Sequence, residues 1–266
     1  MPASTVLTDI GLNLASPQFA RDRQEVLARA RAAGVHRFVL TGVSMETSAE
    51  CAALVDKVAE GDCYFTVGVH PHHAATLGQG RAFRLRELLT HPRAVAGGET
   101  GLDYFRDIAP RAVQRQAFSL QVELAIEAGK PLFLHERQAH KDFVAVLAGF
   151  GKDLPRCVVH CFTGTSAEAR DYVERGYYIG ITGWIGQRRR NADLLAAMAD
   201  IPLDRLLLET DAPYLTPDGV ATHVPRRNEP EVLPKVAELV AHAKGIPLPE
   251  LAAAVENNTR LFFGWQ

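Results

Sequence analysis

The sequence predicts a (β/α)8 TIM barrel, and three observations carry that prediction. Short apolar runs alternate with stretches of helical period along the chain, which implies a parallel sheet. The runs end near Asp9, Gly42, His70, Glu99, His135, His160, Gly183 and Glu209, in steps of 23 to 36 residues that each fit one strand, one helix and two loops. Polar residues close many different strands, whereas an open doubly wound sheet would gather them at one switch point. The units share no residue pattern, so this is no solenoid repeat. The 266 residues read as a single domain, 1–266, without linker or low-complexity segment.

The elements follow in order. Val6–Leu7 leads into a first strand that ends in Asp9-Ile10-Gly11-Leu12-Asn13. Val26, Leu27, Ala30 and Ala33 give a helix over 22–33, stopped by Gly34. Arg37–Thr41 is the second strand, and Ser44 caps a helix with Cys51, Leu54, Val55 and Val58 on its buried face. Cys63–His70 is the third strand, followed by a helix around Leu85–Leu89 that ends near Pro92. The fourth, Ala94–Glu99, meets Gly97 and Gly98 and then a carboxylate, the pattern of a backbone passing close to something while an acid is aimed at it. Pro110 opens a long helix lined by Val113, Ala117, Leu120, Leu124 and Ala128 and ended by Gly129. Pro131–His135 precedes a helix carrying Phe143, Val146 and Leu147. After Cys157–His160, Thr165 and Glu168 form a capping box, and Gly176 ends that helix. Tyr177–Thr182 leads to a helix with Leu194, Leu195 and Met198. Leu206–Glu209 is the last strand, before helices near 231–243 and 248–261.

Composition excludes several classes. At 47% hydrophobic and 23% charged the chain is an ordinary globular protein, and its net charge of −2 gives no global basic footprint. An anionic substrate must therefore be met by local positive charge or a metal. Cys51, Cys63, Cys157 and Cys161 are too sparse for a disulfide scaffold and match no zinc ribbon, so they read as reduced, mostly core thiols. No apolar run nears the roughly 20 residues of a membrane span, and the start lacks a signal-peptide pattern, so a cytoplasmic monomer is expected.

Glu99, His135, His160 and Asp211 put two carboxylates and two imidazoles on four strand ends. One such histidine alone is commonly a hydrogen-bonded structural residue; the four together form a metal-type set, compatible with magnesium, manganese or zinc. His70 and His72 flank Pro71 and read either as a surface turn or as substrate contacts. Arg137 has a fork suited to phosphate. The runs Arg188–Arg190 and Arg226–Arg227 are solvated faces or guides for a polyanion. There is no nucleophile elbow, Walker loop or dinucleotide fingerprint, which leaves a metal-activated water, with Asp211 as proton acceptor. Hydrolysis of a small amide, ester or nucleotide, and a non-catalytic binding barrel, stand as alternatives.

The motifs then converge. Asp-Ile-Gly-Leu-Asn-Leu at 9–14, Gly-Val-His-Pro-His at 68–72, Gly-Glu-Thr-Gly-Leu-Asp at 98–103, His-Cys-Phe-Thr-Gly at 160–164 and Glu-Thr-Asp-Ala-Pro-Tyr at 209–214 resemble the TatD family of metal-dependent deoxyribonucleases. Gly-Ile-Thr-Gly-Trp at 180–184 and Arg-Arg-Asn-Glu-Pro at 226–230 are similar to one branch of it, and the resemblance runs from about Thr8 to Phe263. It implies an amidohydrolase-type TIM barrel and divalent-metal-dependent 3′-to-5′ exonuclease activity on single-stranded DNA, with RNA as a further substrate class. Magnesium is the expected ion and DNA repair the expected setting. Carried over, Glu99, His135 and His160 are metal ligands and Asp211 contacts the metal or its water. His70, His72, Arg137 and Asn13 fall to substrate. Many members carry Asp-x-His-x-His on the first strand; Gly11 and Asn13 stand at those histidine positions here, which favours one firm metal site. Glu136, between His135 and Arg137, has no role assigned by the resemblance.

Overall fold

Eight strands take turns with helices in the computed structural model, which describes residues 6–57 and 62–265. In chain order they are β1 (Leu7–Leu12), α1 (Arg23–Ala32), β2 (Val35–Leu40), α2 (Met45–Lys57), β3 (Cys63–Val67), α3 (Gln79–Leu89), β4 (Ala94–Asp103) and α4 (Arg111–Glu127). Then come β5 (Leu132–Arg137), α5 (His140–Ala148), β6 (Cys157–Val159), α6 (Ser166–Glu174), β7 (Tyr178–Ile181), α7 (Ala192–Ala197), β8 (Leu206–Leu208), α8 (Leu233–Lys244) and α9 (Leu248–Phe263). The strands form one eight-stranded sheet in the order β1 to β8. Leu12 makes a parallel bridge to Ala212, just past β8, so the last strand returns to the first. This is the (β/α)8 barrel that the strand spacing predicts. No helix among the described residues is long and apolar enough to cross a membrane.

The chain divides into two compact units. One runs to Leu40 and resumes at Cys161; the other is Thr41–His160. In the first, Ile10, Leu12, Phe38 and Leu207 are fully buried, as are Val236 and Val240 of α8 and Leu251 and Phe262 of α9. In the second, Phe118 of α4 stacks on Phe143 of α5 with ring centroids 5.3 Å apart, and Phe65 and Phe133 are fully buried. Each such ring contributes about 1.5–3 kcal/mol relative to exposure.

Local signals act as their chemistry requires. Thr165 and Glu168 close the capping box of α6. At α2 the Thr47 amide donates to Ser44 Oγ at 3.1 Å, the expected cap. Cys51 and Val55 are buried on that helix and Leu54 is half-buried; Val58 lies outside the described residues. Pro110 precedes α4 as its N-cap rather than sitting inside the first turn. Of the four cysteines, all outside disulfides, Cys51, Cys63 and Cys157 are buried and Cys161 is half-buried. Leu195 departs from expectation: it is 44% exposed, because α7 has only six residues and turns Leu194 and Ala197 inward instead.

The fourth strand is longer than expected and runs on to Asp103. Gly97 pairs with Leu132 but Thr100 with Leu134, so β4 spends one more residue than β5 there, a bulge that contains Glu99. Gly98 and Gly101 have φ of 139° and 147°, and a Cβ on either would come within 2.0 Å of the Phe133 carbonyl oxygen or 1.9 Å of the His135 one. The backbone that the glycines approach is thus β5 itself.

Arg227 corrects the reading of its basic run. It is buried, with Nη2 at 2.6 Å from both Asp22 Oδ2 and Glu229 Oε1, so it neither faces solvent nor guides a ligand. Glu229 is fully buried and also meets Arg29 at 2.7 Å. Arg226 and Arg188–Arg190 are exposed, as a solvated run would be. Arg227→Ala leaves a buried carboxylate short of its partner and should cost about 3 kcal/mol in urea unfolding. A loss below about 1 kcal/mol, the value of a surface pair, would contradict this assignment.

Candidate active site

A buried carboxylate needs positive or hydrogen-bonding company, and the second unit gathers it around one oxygen. Glu99 is 5% exposed. Its Oε1 lies 2.8 Å from His160 Nε2, 2.9 Å from His135 Nδ1 and 3.3 Å from His70 Nε2. The three imidazoles come from the ends of β6, β5 and β3, and the bulge in β4 aims the acid at them. Burial alone would push the Glu99 carboxyl up, but His160, His70 and His135 hold it well below the ordinary range.

The three histidines are not equivalent. His70 caps the turn after β3, and its Nδ1 accepts from the His72 amide at 3.1 Å. Burial pushes its pKa down to about 4, so at neutral pH the ring is uncharged. A neutral ring whose Nδ1 accepts must carry its proton on Nε2. His70 therefore presents an N–H, not a lone pair, towards Glu99 Oε1 and His135 Nδ1, the latter 3.2 Å away. Burial lowers His135, but Asp103 and Glu99 together raise it above the ordinary value. The surroundings of Glu99 and His135 thus favour positive charge.

That donor set fits a divalent cation. One ligand atom each from His70, Glu99 and His135 lie within 4.8 Å of one another. His135 Nε2 is buried without a hydrogen bond of ordinary geometry, Asp103 Oδ2 being 3.4 Å off. Imidazole nitrogen with carboxylate oxygen suits first-row divalent ions. His70, Glu99 and His135 form that group, and His160 Nε2 reaches the same Glu99 oxygen at 2.8 Å.

Asp103 is a member of the cluster that was not assigned a role from sequence. It is 1% exposed, and its Oδ2 meets His72 Nε2 at 2.8 Å. Its Oδ1 accepts from the Arg106 amide at 2.8 Å. Burial raises Asp103, yet His135, the Arg106 N–H and His72 bring it below the ordinary range. Behind the cluster, α4 contributes two buried glutamines. Gln121 accepts from the Val69 amide at 2.6 Å and donates to the Val69 carbonyl at 3.0 Å, next to His70. Gln114 does the same to Asp103, at 2.8 and 3.2 Å. Each side-chain amide mimics a strand partner for one peptide unit and holds a cluster residue in place. The signal was a pair of polar residues seven apart on an otherwise apolar helix face.

Arg137 is half-buried, two residues beyond His135, and its guanidinium carbon lies 4.2 Å from the Phe105 ring centroid. Glu136 accepts from the Ala139 amide at 2.6 Å and so fastens the entry to α5.

In the first unit, Asn13 Nδ2 donates to Asp211 Oδ1 at 2.8 Å. Asp211 has φ of 53°, and its amide donates to the Gly11 carbonyl at 2.9 Å. The neighbouring Thr210 is tied to Asp9, whose Oδ1 accepts from the Thr210 amide at 2.9 Å and whose Oδ2 accepts from the Thr210 hydroxyl. Glu209 accepts from the Cys161 amide. Asp9 is thus a strand-end acid held by the Thr210 amide and hydroxyl and the Gly11 amide.

Comparison with known proteins gives the following likenesses. The family model described as TatD related DNase matches residues 8–264. The 3'-5' ssDNA/RNA exonuclease TatD of Cronobacter turicensis is 47% identical over 256 residues, covering 96% of this chain and 97% of its own. The protein of that name from Enterobacter lignolyticus is 45% identical over 257 residues, covering 96% and 98%. Among solved structures, the YJJV TatD homologue of Escherichia coli K12 superposes with a TM-score of 0.89 at 31% identity, covering 97% of this chain and 98% of its own.

Burial pushes Asp9 from its ordinary 3.8 up to about 7, against the lowering by Thr210 and Gly11. Between these values the folded protein keeps a proton that the unfolded chain has released. The stability Asp9 contributes is therefore full below its unfolded value and is lost as pH rises through about 7. The stability of the wild type minus that of Asp9→Asn should fall steadily over this window in urea titrations. A difference independent of pH would contradict the placement of Asp9.

Proposed function

The chain belongs to the TatD-related DNase family, and on that premise we propose that it is a divalent-metal-dependent 3′-to-5′ exonuclease of single-stranded DNA and RNA ends. The observation that carries the reading is the Glu99 carboxylate oxygen with three imidazole nitrogens within 3.3 Å. Relatives at 45–47% identity named as such exonucleases support it. One family model spans both units, and we take them as one catalytic domain.

Glu99, His135 and His160 would hold the metal, which we take to be magnesium or manganese. When bound, such an ion polarises a phosphodiester and makes water acidic enough to attack at neutral pH. The chain's own residues do the rest. His70 Nε2–H donates to a non-bridging phosphate oxygen, and its depressed pKa keeps it a neutral donor. The Arg137 fork meets the charge that develops on phosphorus-bound oxygens. His72 and Asp103 hold the His135 edge of the cluster, with His72 on the substrate side. Asp211, whose Oδ1 accepts from Asn13 Nδ2, would serve as proton acceptor and further metal ligand, the role its family motif implies. A monomer in the cytoplasm that trims damaged 3′ ends in DNA repair is the setting this chemistry suits.

Purified protein should lose cleavage of a 5′-labelled single strand in excess chelator and regain it with magnesium or manganese. Undiminished cleavage in chelator would reject the metal. Glu99→Ala and His160→Ala should each lower turnover by more than about 100-fold, beyond what loss of a ligand's supporting partner costs, with circular dichroism unchanged. Turnover near wild type in both would reject the site. Hydrolysis of mononucleotides or acyl esters in preference to oligonucleotides would favour a small-molecule hydrolase instead.

A further inference from the structure

The loop that follows β4, residues 104–110, keeps apolar side chains in water. Phe105 is 50% exposed and Ile108 62%. The loop is nevertheless firmly held. The Tyr104 amide donates to the Arg137 carbonyl at 2.9 Å, and the Arg106 amide to Asp103 Oδ1 at 2.8 Å. The Tyr104 hydroxyl donates to Asp142 Oδ2 at 2.7 Å, and Ala109 is buried with Ala74 and Ala117. A ring presented by a turn tied down at both ends is held out to solvent by design of the backbone, not by fraying.

Its position is informative. Phe105 is two residues beyond Asp103, which bonds His72 and lies beside His135. The Arg137 guanidinium rests 4.2 Å from the ring centroid. Arg137 is itself one two-residue strand step, about 7 Å, beyond His135 on the same face. Arg106, also exposed, adds a second positive charge to a chain whose net charge is −2. An exposed aromatic ring with a guanidinium over one face, close in the chain to a metal-type cluster, matches a ligand that combines a flat ring with a phosphate.

We propose that Phe105, with Arg137 lying on it, is a stacking platform for a nucleobase of the single-stranded substrate, next to the phosphate that is cut. This rests on the nuclease reading. Two exposed apolar side chains are too small a surface for a stable protein interface, which buries about 800 Å² per partner. One base needs no more than a single ring. Because every base has a π-face, such a platform binds without sequence preference, while the arginine meets the backbone charge of the same nucleotide. Burial of the ring occurs only when substrate arrives, which accounts for its exposure in the free protein.

The test compares wild type, Phe105→Ala and Phe105→Trp on oligonucleotides that differ only in carrying natural or abasic nucleotides at the 3′ end. Cleavage kinetics with metal, and fluorescence anisotropy of the 5′-labelled strands in chelator, are both read. With natural ends Phe105→Ala should raise KM and weaken binding about tenfold for all four bases, and Phe105→Trp should restore both. With abasic ends the gap between wild type and Phe105→Ala should shrink to about twofold. An equal loss on natural and abasic ends, or no loss on either, overturns the platform and leaves the nuclease reading intact. Wild-type protein that neither binds nor cleaves the natural strands overturns both.

Discussion

A single carboxylate oxygen organises the second unit. Glu99 Oε1 is buried and faces His70, His135 and His160 at 2.8 to 3.3 Å. Removing a carboxylate from water is expensive unless positive charge or donors replace the lost hydration. The surrounding chain supplies that replacement. Gly98 and Gly101 let β4 press against the carbonyls of β5, the bulge turns Glu99 inward, and the turn after β3 fixes the tautomer of His70. Two glutamines on α4 then hold the peptide units of Val69 and Asp103 from behind. Each of these features has little value without the acid they converge on.

His70, His135 and His160 all touch Glu99, and His70 has its second nitrogen engaged by the His72 backbone N–H. That bond leaves the ring proton on the inner nitrogen, which faces Glu99 Oε1 at 3.3 Å. In the first unit the Asn13 side-chain amide donates to Asp211 Oδ1. An asparagine there orients an acid instead of adding a ligand.

Much of this was legible in the residues. Strand ends were readable because apolar runs stop at Gly, His or Glu, and the spacing between them left room for one helix each. Glu99, His135 and His160 stood out as metal-type residues at those ends. Other parts were hidden for physical reasons. Asp9 looked like another strand-end acid, yet its oxygens are taken by Thr210 and Gly11. Arg227 looked like part of a solvated basic run, yet two carboxylates bury it. Asp103 acts through His72, 31 residues away, which local sequence does not encode, whereas Gln114 and Gln121 left a trace in their spacing on the apolar face of α4. The continuation of β4 past Glu99 was masked because Gly97, Gly98 and Gly101 do not read as strand.

The most direct measurement is anomalous diffraction from crystals soaked with manganese. The account predicts a peak bonded to the Glu99 carboxylate and to one ring nitrogen each of His135 and His160, absent from crystals of Glu99→Gln. Manganese bound elsewhere, or bound equally well in Glu99→Gln, would contradict it.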